Sequence, residues 1–229
     1  MLLEKGLFNN QGYVKLLDVI PSVIPEGYSS RDAVIANTAR LSTMGKPLEN
    51  NIKVYDFLEK LFNWKHFSPF EQAQLSFEIK VPLVAYWQLD RHRSFLYGSH
   101  LRRSGRYTEF LEEDFYVPNY NTGSDLFQDN LKYHIQDSIV KYKEAINKGV
   151  KKETARFLLP AWCMMYTEVM SVDLKNLMHF FGLRLNRHAQ KEIRELATQM
   201  FALTSTVFPY TCKIFRENLE PINYDLRGD

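Results

Sequence analysis

Cysteine is scarce in this chain, and so are glycine and long apolar runs; each shortage removes a class of protein. The two cysteines, Cys163 and Cys212, are too few for a disulfide scaffold or a four-cysteine zinc site. No apolar stretch approaches the ~20 residues of a membrane span. The opening MLLEKGLFNN is too short an apolar run for a signal peptide, so a reducing, cytoplasmic setting is expected. Ten glycines and nine prolines form no repeat, low-complexity tract or Gly/Ser-rich linker. The net charge of +2 supplies no global field that would select nucleic acid or a membrane surface, and neither partner is expected. G-x-G-x-x-G, the Walker loop, G-x-S-x-G and H-E-x-x-H are all missing, and no metal site is expected.

What remains is an ordinary globular composition, 45% hydrophobic and 24% charged over 229 residues. That is enough for one sizeable core and short for two, so residues 1–229 are read as a single domain. The charge is uneven. Arg91–Tyr107, RHRSFLYGSHLRRSGRY, holds five arginines, two histidines and no acid. Such a cluster repels itself unless an anion neutralises it, and guanidinium presents a planar fork of donors suited to phosphate oxygens. A solvated basic loop is the plain alternative. Phe95, Leu96, Tyr97 and Leu101, interleaved with the charges, favour a loop packed on one side and open to a ligand on the other. Nothing else along the chain extends the basic track, so a nucleotide or dinucleotide fits better than a duplex.

Periodicity places the rest. Gly12–Ile20 reads as a strand ended by Pro21, and Ser30–Ser42 as a helix with Ser30 as its cap. Asn51–Trp64 has apolar residues at helical spacing. In HFSPFE, Ser68 reads as an N-cap, Pro69 as the first helical residue and Glu71 as the reciprocal capping partner. Gln74–Val81 alternates cleanly, with Leu75, Phe77, Ile79 and Val81 on one face. Pro82 opens a helix that brings Gln88, Arg91 and His92 to one face near its C-terminal end. Arg106–Pro118 is strand or extended loop. Asp125–Lys148 is a long helix stopped by Gly149. Glu153–Leu159 is helical, Trp162–Val172 leans to strand, and Asp173 caps a helix through Phe181. A last helix is expected over about His188–Thr206. Strands and helices mix without a βαβ rhythm, so the class is α+β, a mixed or antiparallel sheet flanked by helices.

Several of these segments together resemble the flavin-dependent thymidylate synthase family, whose signature is R-H-R, a short spacer, a serine, a small residue and R-Y. Here the signature is Arg91-His92-Arg93 and Ser104-Gly105-Arg106-Tyr107. Ala39-Arg40-Leu41-Ser42, His66-Phe67-Ser68-Pro69-Phe70-Glu71, Ala155-Arg156, Gly182-Leu183-Arg184 and His188-Ala189-Gln190 follow the family in order and approximate spacing. The resemblance implies a homotetramer with active sites where subunits meet. It implies bound FAD, NADPH and methylenetetrahydrofolate as co-substrates, and dUMP methylated at C5 without a protein nucleophile. A sibling activity, on UMP or delivering hydroxymethyl, remains open, as does a nucleotide- or nucleic-acid-binding protein without catalysis.

By the same resemblance, Arg91, His92 and Arg93 are flavin-contacting residues, with Arg91 also near the nucleotide. His66 and Ser68 belong to the cofactor side, where Ser68 also has its capping role. Gln88, Arg103, Ser104, Gly105, Arg106 and Arg156 match nucleotide-binding positions, although Arg156 alone reads equally as a surface cation. Arg184 matches the activating arginine, and His188 a flavin-proximal histidine. Asp173, Lys175 and His179 stand where the family has Asn, Arg and Asn around FAD, although Asp173 is also a helix cap. The spacer Ser94–Arg103 is ten residues long where the family has about seven. Arg102 replaces the acid often found two positions before the serine.

Overall fold

The computed structural model describes residues 3–48, 50–92, 101–102, 104–119 and 125–218. Arg93 and Arg103, both among the expected site residues, lie outside them, as does most of the basic loop between Arg91 and Ser104. The strands are β1 (Leu3–Leu7), β2 (Gly12–Ile20), β3 (Gln74–Pro82), β4 (Leu101–Arg102) and β5 (Met165–Asp173), in sheet order β1-β2-β3-β5-β4. The helices are α1 (Arg31–Arg40), α2 (Asn51–Asn63), α3 (Leu83–Asp90), α4 (Asp125–Asn147), α5 (Lys152–Ala155), α6 (Leu174–Arg184), α7 (Lys191–Val207) and α8 (Pro209–Glu217). The class is therefore α+β with an antiparallel sheet.

Hydrogen bonds just beyond both ends of β3 and β5 set their antiparallel register. Leu174 N–H donates to Ala73 O at 2.8 Å, and Leu83 N–H donates to Met164 O at 2.8 Å. Between those ends the Ser76 and Ser171 hydroxyls meet at 2.7 Å. The alternation read from the sequence holds: Leu75, Phe77, Ile79 and Val81 are all fully buried. β4 adds antiparallel to β5, with Leu101 opposite Val169 and Arg102 opposite Glu168.

Contacts group the chain into two compact units. One comprises Met1–Leu3, Leu16–Ser76 and Ser171–Asp229; the other comprises Glu4–Lys15 and Phe77–Met170. In the first unit α1, α2, α6, α7 and α8 pack around Leu58, Leu177, Phe181, Leu196 and Met200, all fully buried. Phe62, Phe181, Phe201 and Phe215 add edge-on and tilted rings at centroid distances of 5.2–6.4 Å. In the second unit α4 lays Ile135, Ile139 and Tyr142 against Phe110, Phe115, Ala155, Leu159 and Met164.

Several boundaries depart from the sequence reading. Ser30 does cap α1, its Oγ accepting from Ala33 N–H at 3.1 Å, but the helix ends at Arg40 and finishes in a 3-10 turn over Leu41–Thr43. Ser68 caps nothing. Ser68–Gln72 is a 3-10 turn entered through Phe67 with no side-chain cap bond, and the Glu71 carboxylate pairs with Lys175 Nζ instead of closing a capping box. Five residues in 3-10 geometry present no α-type N3 amide to cap. Asp173 caps α6 as expected, through Asn176 N–H at 2.9 Å, and the helix runs on to Arg184. The last expected helix starts at Lys191, leaving His188 in the preceding turn.

Strand β1 and helix α8 were not foreseen. LEKGL shows no alternation, and only Leu7 is buried. Pro209 sits at the first position of α8, where its missing N–H costs nothing. The next two amides find their acceptor far away in sequence. Asp32 of α1, fully buried, accepts from Tyr210 N–H at 3.2 Å, Thr211 N–H at 2.9 Å and Thr211 Oγ1–H at 2.6 Å. It does from another helix what an N-cap does locally.

Asp32→Ala would leave these donors unsatisfied in the core and is expected to cost about 2–4 kcal/mol in denaturant unfolding. Burial holds the Asp32 carboxyl above its ordinary value, against the three donors that pull it down. The folded state thus holds this proton more tightly than the unfolded chain. The stability it contributes is greatest below the ordinary value and falls as pH rises through the raised one. Asp32→Asn removes that titration. Unfolding measured across pH should therefore show wild type losing ground to Asp32→Asn as pH increases.

Candidate functional site

The expected residues gather in two places, one in each unit. In the first unit the chain leaving α2 turns sharply at Trp64–His66 and enters the 3-10 turn Ser68–Gln72, which packs against α1 and α6. A cleft of about 640 Å³ opens there, lined by Thr38, Ser42, Lys65, His66, Ser68, Gln72 and Lys175 among others. Its walls carry hydroxyls, an amide and cations. A second cleft of about 380 Å³ has an apolar floor of Phe62, Phe67, Met178, Leu183 and Phe215, with Lys175, Asn176 and His179 at its rim. Phe67 and Lys175 line both clefts, so the two adjoin.

α6 explains this placement. Leu174, Leu177, Phe180 and Phe181 are fully buried, which turns Lys175, His179, Gly182 and Leu183 toward the clefts at helical spacing. Glu71 anchors Lys175 from the 3-10 turn and holds its amine above the ordinary lysine value by their hydrogen bond. Asp173 is the cap of this helix. Arg184, half-buried in its last turn, and His188, exposed beyond it, line none of the clefts described here. The His188 N–H donates to Asn186 Oδ1 at 2.9 Å.

The second unit holds a cavity of about 490 Å³ lined by Leu83, Ser104, Gly105, Phe110, Arg156, Phe157, Met165 and Tyr166, among others. Ser104 begins a tight turn. Its carbonyl accepts from Tyr107 N–H at 3.2 Å, Thr108 N–H at 3.3 Å and the Thr108 hydroxyl at 3.1 Å. Its own hydroxyl accepts from Arg106 N–H at 3.3 Å. Gly105 is buried, and a Cβ there would sit 2.6 and 2.8 Å from ring carbons of Phe110. Only glycine brings this backbone so close to the core. Arg156, exposed in the 3-10 turn after α5, reaches the same cavity, whereas the Arg106 guanidinium turns to Glu153, Nε to Oε2 at 3.2 Å. A serine hydroxyl, a backbone turn and a guanidinium in one cavity form a cradle for an oxyanion.

The remaining expected residues are placed elsewhere. Gln88, half-buried on α3, and Arg91, exposed at its end, line none of these three clefts. Nor does His92, which is buried, with its N–H donating to Leu89 O at 2.9 Å. The structure adds lining residues that the sequence reading passed over. Phe67 was legible as the aromatic between His66 and Ser68, but Phe215 sits on the unforeseen α8. Phe157 and Tyr166 carried no signal beyond being aromatic.

Burial raises the Cys163 thiol and pushes Cys212 up to about 12, so neither supplies a thiolate near neutral pH. Among the described residues no group of three or more His, Cys, Asp or Glu is placed to hold a metal, and no helix is long and apolar enough to cross a membrane. The two adjoining clefts of the first unit have a lining that fits the FAD implied by the family resemblance. Cations and hydroxyls suit a diphosphate, and an aromatic floor suits a flat ring.

Residues 26–210 match the family described as thymidylate synthase complementing protein. The chain is 31% identical over 233 residues to a flavin-dependent thymidylate synthase of Treponema denticola, covering 91% of this chain and 80% of that one. It is 32% identical over 230 residues to another from Pseudothermotoga lettingae, covering 96% and 94%. Among solved structures it resembles a UMP/dUMP methylase from Streptomyces cacaoi bound with 5-Br dUMP. That likeness has a TM-score of 0.75 at 24% identity, over 90% of this chain and 95% of that one.

Gly105→Ala is expected to cost about 1–3 kcal/mol, because Phe110 is locked between Phe115 and Tyr142 and has little room to retreat. Thermal unfolding measures the cost. Phosphate-ligand affinity should fall with it.

Proposed function

The chain belongs to the flavin-dependent thymidylate synthase family, and on that premise we propose that it methylates dUMP at C5 to give dTMP. FAD is its cofactor, NADPH its reductant and methylenetetrahydrofolate its one-carbon donor. The observation that carries the reading is the cavity of the second unit. Ser104, Gly105 and Arg156, about fifty residues apart in sequence, line one space with the donor set a nucleotide phosphate needs.

The roles follow from the chemistry of each group. Ser104, the Gly105 turn and Arg156 hold the phosphate, joined by Arg103 and by Arg106 once its guanidinium leaves Glu153. That exchange is cheap, because the ion pair is exposed. Gln88 and Arg91 orient the nucleotide. Arg184 sets its cation at the O4/N3 edge of the uracil, where it favours the N3-deprotonated form and pushes electron density onto C5. His66, Ser68, Lys175 and His179 hold the cofactor with Arg91, His92, Arg93, Asp173 and His188. Bound FAD would supply the hydride. No protein nucleophile is required, in keeping with two thiols that stay protonated. The enzyme acts in the cytoplasm as a homotetramer with shared active sites.

Purified protein should be yellow, and incubation with dUMP, methylenetetrahydrofolate and NADPH should give a product of dTMP mass. A colourless protein that FAD cannot reconstitute overturns the reading. A hydroxymethyl product, or a preference for UMP, replaces it with the sibling activity. Arg184→Ala should keep its flavin spectrum while kcat falls about 10²–10³-fold, read by steady-state kinetics beside an absorption scan. Normal turnover would remove Arg184 from the activating role.

A further inference from the structure

Helix α2 ends in a Schellman motif. His66 N–H donates to Leu61 O at 2.9 Å and Lys65 N–H to Phe62 O at 3.0 Å, with Lys65 in the left-handed region at φ 60°. The same motif ends α4: Val150 N–H donates to Ala145 O at 3.0 Å and Gly149 N–H to Ile146 O at 2.9 Å, with Gly149 at φ 87°. The α4 motif uses the residue that this backbone favours. The α2 motif uses a lysine, whose Cβ makes that conformation costly. Among the described residues, Lys65 is the one non-glycine residue at positive φ that lines any of the three clefts. Strain of this kind persists only where the surrounding structure holds it, and it clusters at functional sites.

The charge balance of the cleft says what the Lys65 side chain can do there. Its other lysine, Lys175, is held by the Glu71 carboxylate. Lys65 has no carboxylate partner among the described residues; its amine stands 5.9 Å from the Phe62 ring centroid, at the outer limit of a cation–π contact. A lysine so placed is a point charge on a flexible stem, in a cleft that His66 and Ser68 also line.

We propose that Lys65 is a phosphate-binding residue of the cofactor cleft, its ammonium pairing with the diphosphate of FAD. The inference rests on the FAD reading above. A purely structural role, a cation at the negative end of the α2 dipole, predicts a different pattern of variants.

The test uses the full chain, stripped of flavin and titrated with FAD while flavin fluorescence reports binding. Lys65→Gly and Lys65→Met should each raise the FAD Kd about tenfold, and Lys65→Arg should restore it. The deficit should shrink at about 0.5 M salt, where exposed charges are screened. Lys65→Gly should meanwhile unfold at the same or a higher temperature than wild type, because it relieves the backbone, so weaker binding cannot be blamed on a damaged fold. Unchanged FAD affinity in both Lys65→Gly and Lys65→Met overturns the proposal. Unchanged FAD affinity with a raised KM for NADPH in the refilled enzyme overturns it too, and moves the lysine to the reductant. Wild-type protein that binds no FAD overturns the cofactor reading itself, which is a separate result.

Discussion

The antiparallel pairing of β3 with β5 is the constraint from which both candidate sites follow. Within the first unit, the bond from Leu174 N–H to Ala73 O ties the start of α6 to the chain leaving the Ser68–Gln72 turn. That bond is why Lys175 meets Glu71 and why two stretches a hundred residues apart share a cleft. Within the second unit, the bond from Leu83 N–H to Met164 O ties the start of α3 to the chain entering β5. Leu83, Met164 and Met165 thereby become walls of the cavity into which Ser104, Gly105 and Arg156 project. The buried faces of the strands make the register firm. A slip of one residue would exchange Phe77 and Ile79 for Glu78 and Lys80 in the core.

Much of this was legible in the sequence, for identifiable reasons. Clean alternation gave β3, and spaced apolar residues gave α2 and α4. Asp173 was read as the cap of α6 and Gly149 as the stop of α4, because caps are local chemistry and need no tertiary information. The failures share a cause as well. Helix α8 is capped by Asp32, nearly 180 residues away, so no window around Pro209 contains its acceptor. Ser68 had every local mark of an N-cap, but Glu71 found a better partner in Lys175. In both cases a long-range contact overrode or supplied what local pattern could not.

The site divides in the same way. Motif order identified the family, and His66, Ser68, Ser104, Gly105, Arg156 and Lys175 do line clefts. What motif order could not convey is where a side chain rests. Arg106 sits in the signature yet spends its charge on Glu153, and Arg184 and His188 lie off the cleft walls. The apolar floor was invisible for another reason. Phe62, Met178 and Phe215 belong to three different helices, one of them unforeseen, and only their packing brings them to one cleft.

By the resemblance Lys175 stands where the family has an arginine, and that difference changes what the cleft can offer a phosphate. A guanidinium brings its own planar geometry to a phosphate, whereas an ammonium brings charge without direction. Direction therefore has to come from the surroundings, and the Glu71 carboxylate provides it by fixing where Lys175 Nζ sits. That arrangement also neutralises the charge it positions. A cleft built this way holds its lysine in place but retains little net attraction for a diphosphate. A second, uncompensated cation would restore it at modest cost, since an exposed ammonium carries only a small desolvation penalty. The left-handed lysine at the end of α2 is such a cation, held beside the cleft by a turn whose backbone would favour glycine.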